Sequence, residues 1–364
     1  MPMPSNVKKL RVLVVGCGHM GASHARAYHN LKHEFEIVGL VARGSTSRQK
    51  LNGELGGRCT EYSDFPTALI ETRPDAVCIS TYTETHAEYA IAAFEAGAHV
   101  FLEKPVAATL ADCERVIATA RRLRRKLIVG YILQVHPSWT TFTSIARTMG
   151  RPLVMRMNLN QQSSGEHWKT HLQLLQSTSP VVDCGVHYVD VMCRMTNSRP
   201  VSVSGIGARL SEEIAHDQIN YGQLQVTFED GSVGWYEAGW GPMMSETAFF
   251  VKDVIGPKGS VSIVPKSAGS AGNSANIDAH TKTEALRVHH AERGPDGRFK
   301  HEDKMVELED EPTHDELCRR EQQIFHQAIA EDRDLSAHWQ SAVDSLRIVL
   351  AADQSFREGR TIKL

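Results

Sequence analysis

Along the first third of the chain, short apolar blocks alternate with longer stretches in which apolar positions recur every third or fourth residue. The blocks Val12–Val15, Phe35–Ala42, Ala76–Ser80, His99–Leu102 and Leu127–Gly130 predict strands. The stretches Ala22–Leu31, Asp64–Thr72, Glu84–Glu95 and Ala111–Leu123 predict the helices between them. Strands that are apolar at nearly every position, separated by helices of about 10 to 14 residues, imply a doubly wound α/β parallel sheet covered on both faces. Beyond Gly130 the rhythm changes. Helices are predicted at Pro137–Met149 and Val181–Met195, with a long strand at Leu153–Gln161. Alternating segments follow at Val201–Leu210, Ile219–Phe228, Val233–Trp240, Thr247–Ile255 and Val261–Val264, joined as hairpins at Asp230-Gly231 and Pro257-Lys258-Gly259. Lys266–Asn276 reads as a mobile loop, Leu286–Ala291 and Lys304–Leu308 as short strands, His314–Ala330 and Ala337–Glu358 as helices, and Thr361–Leu364 as a closing strand. The pattern divides the chain into a parallel α/β domain over residues 1–132 and an α+β domain over 133–364 with a large, mostly antiparallel open sheet.

Composition narrows the function. At 364 residues, 41% hydrophobic and 23% charged, the chain can build two ordinary cores. A net charge of −3 gives no broad basic surface, so a nucleic-acid partner is not expected and a small-molecule ligand is. Seven scattered cysteines without a C-x-x-C pair read as buried thiols in a reducing, cytoplasmic compartment. The polar start of the chain does not read as a signal peptide, and no apolar run approaches 18 residues, so no membrane span is expected.

Between the first strand and first helix stands Gly16-Cys17-Gly18-His19-Met20-Gly21. The G-x-G-x-x-G spacing is that of a dinucleotide-binding turn. Its first glycine makes the turn, the second admits a pyrophosphate, and the third lets helix close on strand. Gly16, Gly18, His19, Met20 and Gly21 are therefore cofactor candidates, with the helix N-terminus facing phosphate. From Val38 to Thr46 there is no acid to take a ribose 2′-hydroxyl, while Arg43, Ser45 and Arg48 cluster at the strand end. That favours NADP, with NAD possible, because a guanidinium pairs with a 2′-phosphate. The plain alternative makes Arg43 a solvated charge and Ser45 a helix cap. Ligands of such sheets lie beyond the carboxyl ends of the strands, which adds Thr81, His86, Glu103 and Lys104 to the cofactor candidates.

Lys104, held at a strand end before Pro105, can handle protons. In the second half, Asp183 and His187 are spaced to share a helix face, an imidazole beside a carboxylate suited to taking a hydroxyl proton. Asp183 can equally be an N-cap and His187 a core residue. The histidines His289, His290 and His301 do not make a metal site by pattern: neighbours on a strand point to opposite faces, and no cysteine or acid pair completes a set.

Taken together, the glycine loop, His99–Pro105 with its Glu-Lys-Pro ending, Asp183–Asp190 in the order D-x-G-x-H-x-x-D, and Ser355–Gly359 resemble the Gfo/Idh/MocA oxidoreductases almost end to end. The resemblance implies a Rossmann domain followed by an α+β domain that packs face to face between subunits as a homodimer or homotetramer. It also implies reversible oxidation of a sugar, polyol or related alcohol. Carried over, Lys104 stands beside the nicotinamide, Asp183 and His187 form the proton-handling pair, and Asp190 binds or orients substrate. Which of Lys104 and His187 is the proximal base stays open. Tyr131, Trp168, His136, Glu166 and His167 are further pocket candidates from their place near the domain junction. An arginine common in the family's Y-x-x-R-x-x-P stretch is Gln134 here. Two other classes share these features: a non-catalytic NADP-binding regulator, and a nicotinamide-dependent glycosidase acting through transient oxidation.

Overall fold

In a computed structural model, the described residues are 9–245, 251–265, 274, 281, 283–308 and 311–364. They form two units, one comprising the chain up to Ile132 with Thr313–Val343, the other Leu133–Pro312 with Asp344–Leu364.

The first unit holds a parallel sheet of β1 (Leu10–Val15), β2 (Phe35–Val41), β3 (Glu61–Tyr62), β4 (Ala76–Ile79), β5 (His99–Leu102) and β6 (Leu127–Val129), in the order β3-β2-β1-β4-β5-β6. The order reverses between β1 and β4, which makes the ends of those strands the ligand crevice of such a sheet. Strand interiors such as Val12–Val15 and Ala76–Ile79 are fully buried, as a sheet covered on both faces requires. Helices α1 (His19–Asn30), α2 (Ser45–Glu54), α3 (Phe65–Thr72), α4 (His86–Glu95) and α5 (Leu110–Arg122) make the crossovers. Asp64 and Thr109 cap α3 and α5 by accepting from the backbone N–H of Thr67 and Asp112. The short strand β3 and helix α2 were not among the predicted elements.

The helix His314–Ala330 belongs to this first unit, although the sequence pattern groups it with everything after residue 132. The reason lies in its buried stripe of Leu317, Cys318, Glu321, Gln322, Phe325 and Ala328. Phe325 and Ala328 share one hydrophobic cluster with Val12, Tyr28 and Phe101. The helix thus covers the sheet beside α1, a pairing that periodicity alone cannot assign.

The second unit holds nine strands: β7 (Val154–Gln162), β8 (Pro200–Ala208), β9 (Tyr221–Phe228), β10 (Val233–Gly241), β11 (Lys252–Gly256), β12 (Gly259–Val264), β13 (Ala285–His290), β14 (Lys304–Glu307) and β15 (Ile362–Lys363). Their order is β14-β13-β12-β11-β7-β10-β9-β8-β15, antiparallel except for the β7–β10 pair. Both predicted hairpins form; at the first, Gly231 supplies a φ of 83° and the Asp230 carboxylate accepts from the Ser232 N–H. One sheet face is covered by α6 (Pro137–Thr148), α7 (Gly165–Leu174), α8 (Pro180–Asp183) and α9 (Gly185–Thr196). Contact there is close. A Cβ on Gly234 would lie 2.7 Å from Met192 Sδ, and one on Gly185 would lie 2.9 Å from the Tyr236 ring.

Two expectations need correction. The predicted helix Val181–Met195 is two helices broken at Cys184, which ends α8 and begins α9. Pro180 starts the first with Ser179 as its cap, so a fresh helix begins only after Cys184. In addition, α7 was not predicted. Of the segment Thr247–Ile255, residues 247–250 lie outside the described residues, as does all of the loop Lys266–Asn276 except Ser274. Among the described residues no helix is long and apolar enough to cross a membrane.

Candidate functional site

In the first unit the three loop glycines differ in what surrounds them. Gly16 has φ 100°, and a Cβ there would fall 2.2 Å from the Ser80 carbonyl oxygen. A Cβ on Gly21 would fall 1.9 Å from the Gly16 carbonyl oxygen. Around Gly18, by contrast, nothing lies within 4 Å of that position. The first and third glycines are thus demanded by the fold, while the second is demanded only by what must approach it. Gly18 is also the N-cap of α1 and offers no capping side chain, so the positive end of the helix opens onto this space. His19 and Gly18 are exposed, Met20 is half-buried, and the Cys17 thiol, pushed up to about 11 chiefly by burial, faces the Val41 carbonyl.

At the end of β2, Arg43 is exposed and Gly44 caps α2, which leaves Ser45 as the first residue of that helix and not its cap. Arg48 behaves differently. Its guanidinium donates to the Ala42 carbonyl and pairs with Glu61 at 3.6 Å. It therefore braces β2 against β3, and Arg43 with the start of α2 is the positive feature left facing outward. Glu61 also accepts from Asn52 at 2.8 Å, so the nearest acid to this corner is already engaged.

Thr81 and Thr85 hydroxyls meet at 2.7 Å in the loop after β4. His86 is buried, one ring nitrogen 2.8 Å from the Pro105 carbonyl and the other 3.0 Å from the Thr81 carbonyl. It ties together the loops that follow β4 and β5, and burial lowers its pKa. Glu103 is buried, with its carboxylate 2.6 Å from His24 Nε2 and accepting at 3.2 Å from the backbone N–H of Lys104. Lys104 itself is half-buried at the end of β5. The sequence reading passed over His24, whose only signal is its inward place on α1. Tyr131 is buried, its ring centroid 6.1 Å from that of His338 in an edge-on arrangement.

In the second unit, Asp183 closes α8 and His187 lies in the first turn of α9, both half-buried between fully buried neighbours. Capping of α8 falls to Ser179, so Asp183 does not serve as its N-cap. The Cys184 thiol lies 3.7 Å from the Asp183 carboxylate and 3.6 Å from Gln161 Oε1, which also accepts from the Trp240 indole at 2.7 Å. His171 stacks on Trp240 at 4.5 Å, giving this region aromatic and amide surface. Asp190 has no exposed surface and accepts at 2.8 Å from Gln134. It anchors α9 to the segment before α6. Trp168 is buried and donates to Glu213 at 3.0 Å. His136 caps α6 through Nδ1, and Glu166 pairs with Lys169 on an exposed turn beside the exposed His167. On the β13–β14 hairpin, His289 meets Asp303 at 2.8 Å, and His301 lies 3.5 Å from Glu292.

Residues 10–131 match the family described as "Oxidoreductase family, NAD-binding Rossmann fold", and residues 145–364 match "Oxidoreductase family, C-terminal alpha/beta domain". The inositol 2-dehydrogenase of Salmonella typhimurium is 25% identical over 191 residues, 52% of this chain and 55% of that protein. The chain thus spans little more than half the length of this curated relative. The UDP-N-acetylglucosamine 3-dehydrogenase of Acidithiobacillus ferrooxidans superimposes with a TM-score of 0.73 at 20% identity, over 97% of this chain and 99% of that one. A Bordetella pertussis dehydrogenase, solved with NADH and UDP-GlcNAcA, gives 0.75 at 18% identity, over 98% and 99%. At these identities the structural likenesses show a shared fold.

Proposed function

The chain belongs to the Gfo/Idh/MocA oxidoreductase family, and from that premise we propose that it is a nicotinamide-dependent dehydrogenase or reductase of a sugar, polyol or related alcohol, with NADP as the preferred cofactor. The observation that carries the proposal is the turn Gly16–Gly21, where two glycines are crowded by the fold and the middle one faces open space at a helix N-terminus. Pyrophosphate fits that space, and Gly18, His19 and Met20 would hold it through backbone N–H groups. The exposed Arg43 beside the start of α2 would take a 2′-phosphate, since the neighbouring Glu61 is occupied by Arg48 and Asn52.

When bound, the nicotinamide supplies or accepts the hydride. Lys104 then donates a hydrogen bond to the substrate oxygen and steadies the charge that develops there. His187, oriented by Asp183, takes the hydroxyl proton during oxidation and returns it during reduction. The dehydrogenases of inositol and of a UDP-sugar among the relatives support a polyhydroxylated substrate. The unbridged cysteines support a cytoplasmic location. A second copy of the chain would cover the open sheet face. There Val233, Val154 and Ile255 stand side by side across three strands, each about two-fifths exposed.

Incubation with NADP or NAD and a panel of inositols, free sugars and UDP-sugars tests the proposal. Net formation of reduced nicotinamide with one of them is the expected result. Product without net reduction would point to a glycosidase, and cofactor binding without turnover to a regulator.

A further inference from the structure

Behind the Glu-Lys-Pro loop lies a chain of buried polar groups that the proposed mechanism does not use. Tyr28 donates its hydroxyl to Gln322 Oε1 at 2.6 Å, and Gln322 Nε2 donates to His24 Nδ1 at 3.0 Å. Since Nδ1 accepts, the ring proton of a neutral imidazole sits on Nε2, which donates to Glu103 Oε1 at 2.6 Å. The other carboxylate oxygen accepts the Lys104 backbone N–H at 3.2 Å. All of these side chains are essentially inaccessible to solvent. Gly130 leaves room for the carboxylate, because a Cβ there would come within 3.3 Å of it.

A second carboxyl stands in the same cluster. The neighbouring Glu321 is buried and held well above the usual carboxylate range, first by burial and then by the negative charge of Glu103. The donor atoms of His24, Cys318 and Glu321 lie within 4.8 Å of one another. Both nitrogens of His24 are nevertheless already engaged, so the cluster is organised around the carboxylate and not around an ion.

We infer that His24 and Glu103 are a positioning pair: the imidazole, oriented from helix His314–Ala330 through Gln322, locks the Glu103 carboxylate, and the carboxylate locks the peptide that presents Lys104. The inference rests on the proposed role of Lys104 and names what fixes it. An ammonium on a long flexible stem reaches a reacting oxygen reproducibly only if its backbone is held, and misplacement by about 1 Å costs on the order of 100-fold in rate.

The test compares His24→Leu with His24→Gln, whose amide carries a donor to about the place of Nε2. Hydrogen exchange at the Lys104 amide reads the positioning directly and needs no substrate. Exchange should accelerate at least about ten-fold in the leucine variant and return toward wild type in the glutamine variant. In turnover, the leucine variant should lose about 10- to 100-fold in kcat with cofactor KM within about two-fold, and the glutamine variant should recover most of it. Should His24→Leu not fold, Gln322→Leu carries the same comparison, because it removes the group that orients the imidazole. Unchanged protection of the Lys104 amide in a folded variant overturns the inference, and so does equal loss of kcat in both His24 variants. Loss of turnover in Lys104→Ala with normal kcat in His24→Leu would sink the positioning pair and leave the dehydrogenase reading standing. A wild-type chain without nicotinamide turnover would sink that reading, while the exchange experiment still decides the positioning.

Discussion

Arg43 and Glu321 show how far one side chain can be read alone. Arg43 stands exposed just past the end of β2, in a corner that lacks the acid of an NAD-binding turn, and Arg48 is spent inside the fold. Arg43→Asp should lower the ratio of NADP to NAD affinity by about 10-fold or more, the worth of a charge-assisted hydrogen bond with its ion pair; titration with each cofactor measures it. Glu321 has no such outward signal. Its carboxyl holds its proton to higher pH in the folded state than in the unfolded chain, because burial and then the charge of Glu103 penalise the anion. Between those points the folded state binds more protons, so this group's contribution to stability falls as pH rises. Glu321→Gln should therefore melt higher than wild type at about pH 8 and much closer to it at about pH 4. The glycine turn between strand and helix was legible because its spacing carries its geometry. The buried hydrogen bonds of His86, His136 and Asp190 were not, because a buried hydrogen-bonded residue and an exposed one look alike in a string.

Among the elements, five of the six strands of the first unit were legible to within two residues, since a buried parallel strand must be apolar throughout, whereas the two-residue edge strand β3, Glu61–Tyr62, carries no such run. The second sheet was legible from alternation, as its one covered face requires. What periodicity could not supply was partnership: the helix His314–Ala330 has a strong apolar stripe, yet only the fold shows that it lies on α1. The break at Cys184 was hidden for another reason, because apolar spacing runs through it. The strand–turn–helix at Gly16–Gly21 makes the sharpest test at this scale. Gly18→Ala should leave stability within about 0.5 kcal/mol of wild type while weakening cofactor binding in a titration. Gly21→Ala should destabilise by about 1–3 kcal/mol in denaturant unfolding, because its Cβ would fall on the Gly16 carbonyl.

For the whole molecule, the two units divide the proposed work. The first holds the dinucleotide turn and Lys104; the second holds Asp183, His187 and the open sheet. The exposed row of Val233, Val154 and Ile255 is the seat proposed for a second copy. Val154→Glu should accordingly lower the native mass by size-exclusion chromatography with light scattering; an unchanged mass would move the interface elsewhere. The account stands or falls on chemistry at Lys104. The decisive measurement is the rate of reduced-nicotinamide formation in a single turnover, for wild type and Lys104→Ala, with the best substrate of the panel and saturating NADP. The account predicts that alanine slows this step by about 100-fold or more at unchanged cofactor affinity. Near-normal turnover in the alanine variant would contradict it.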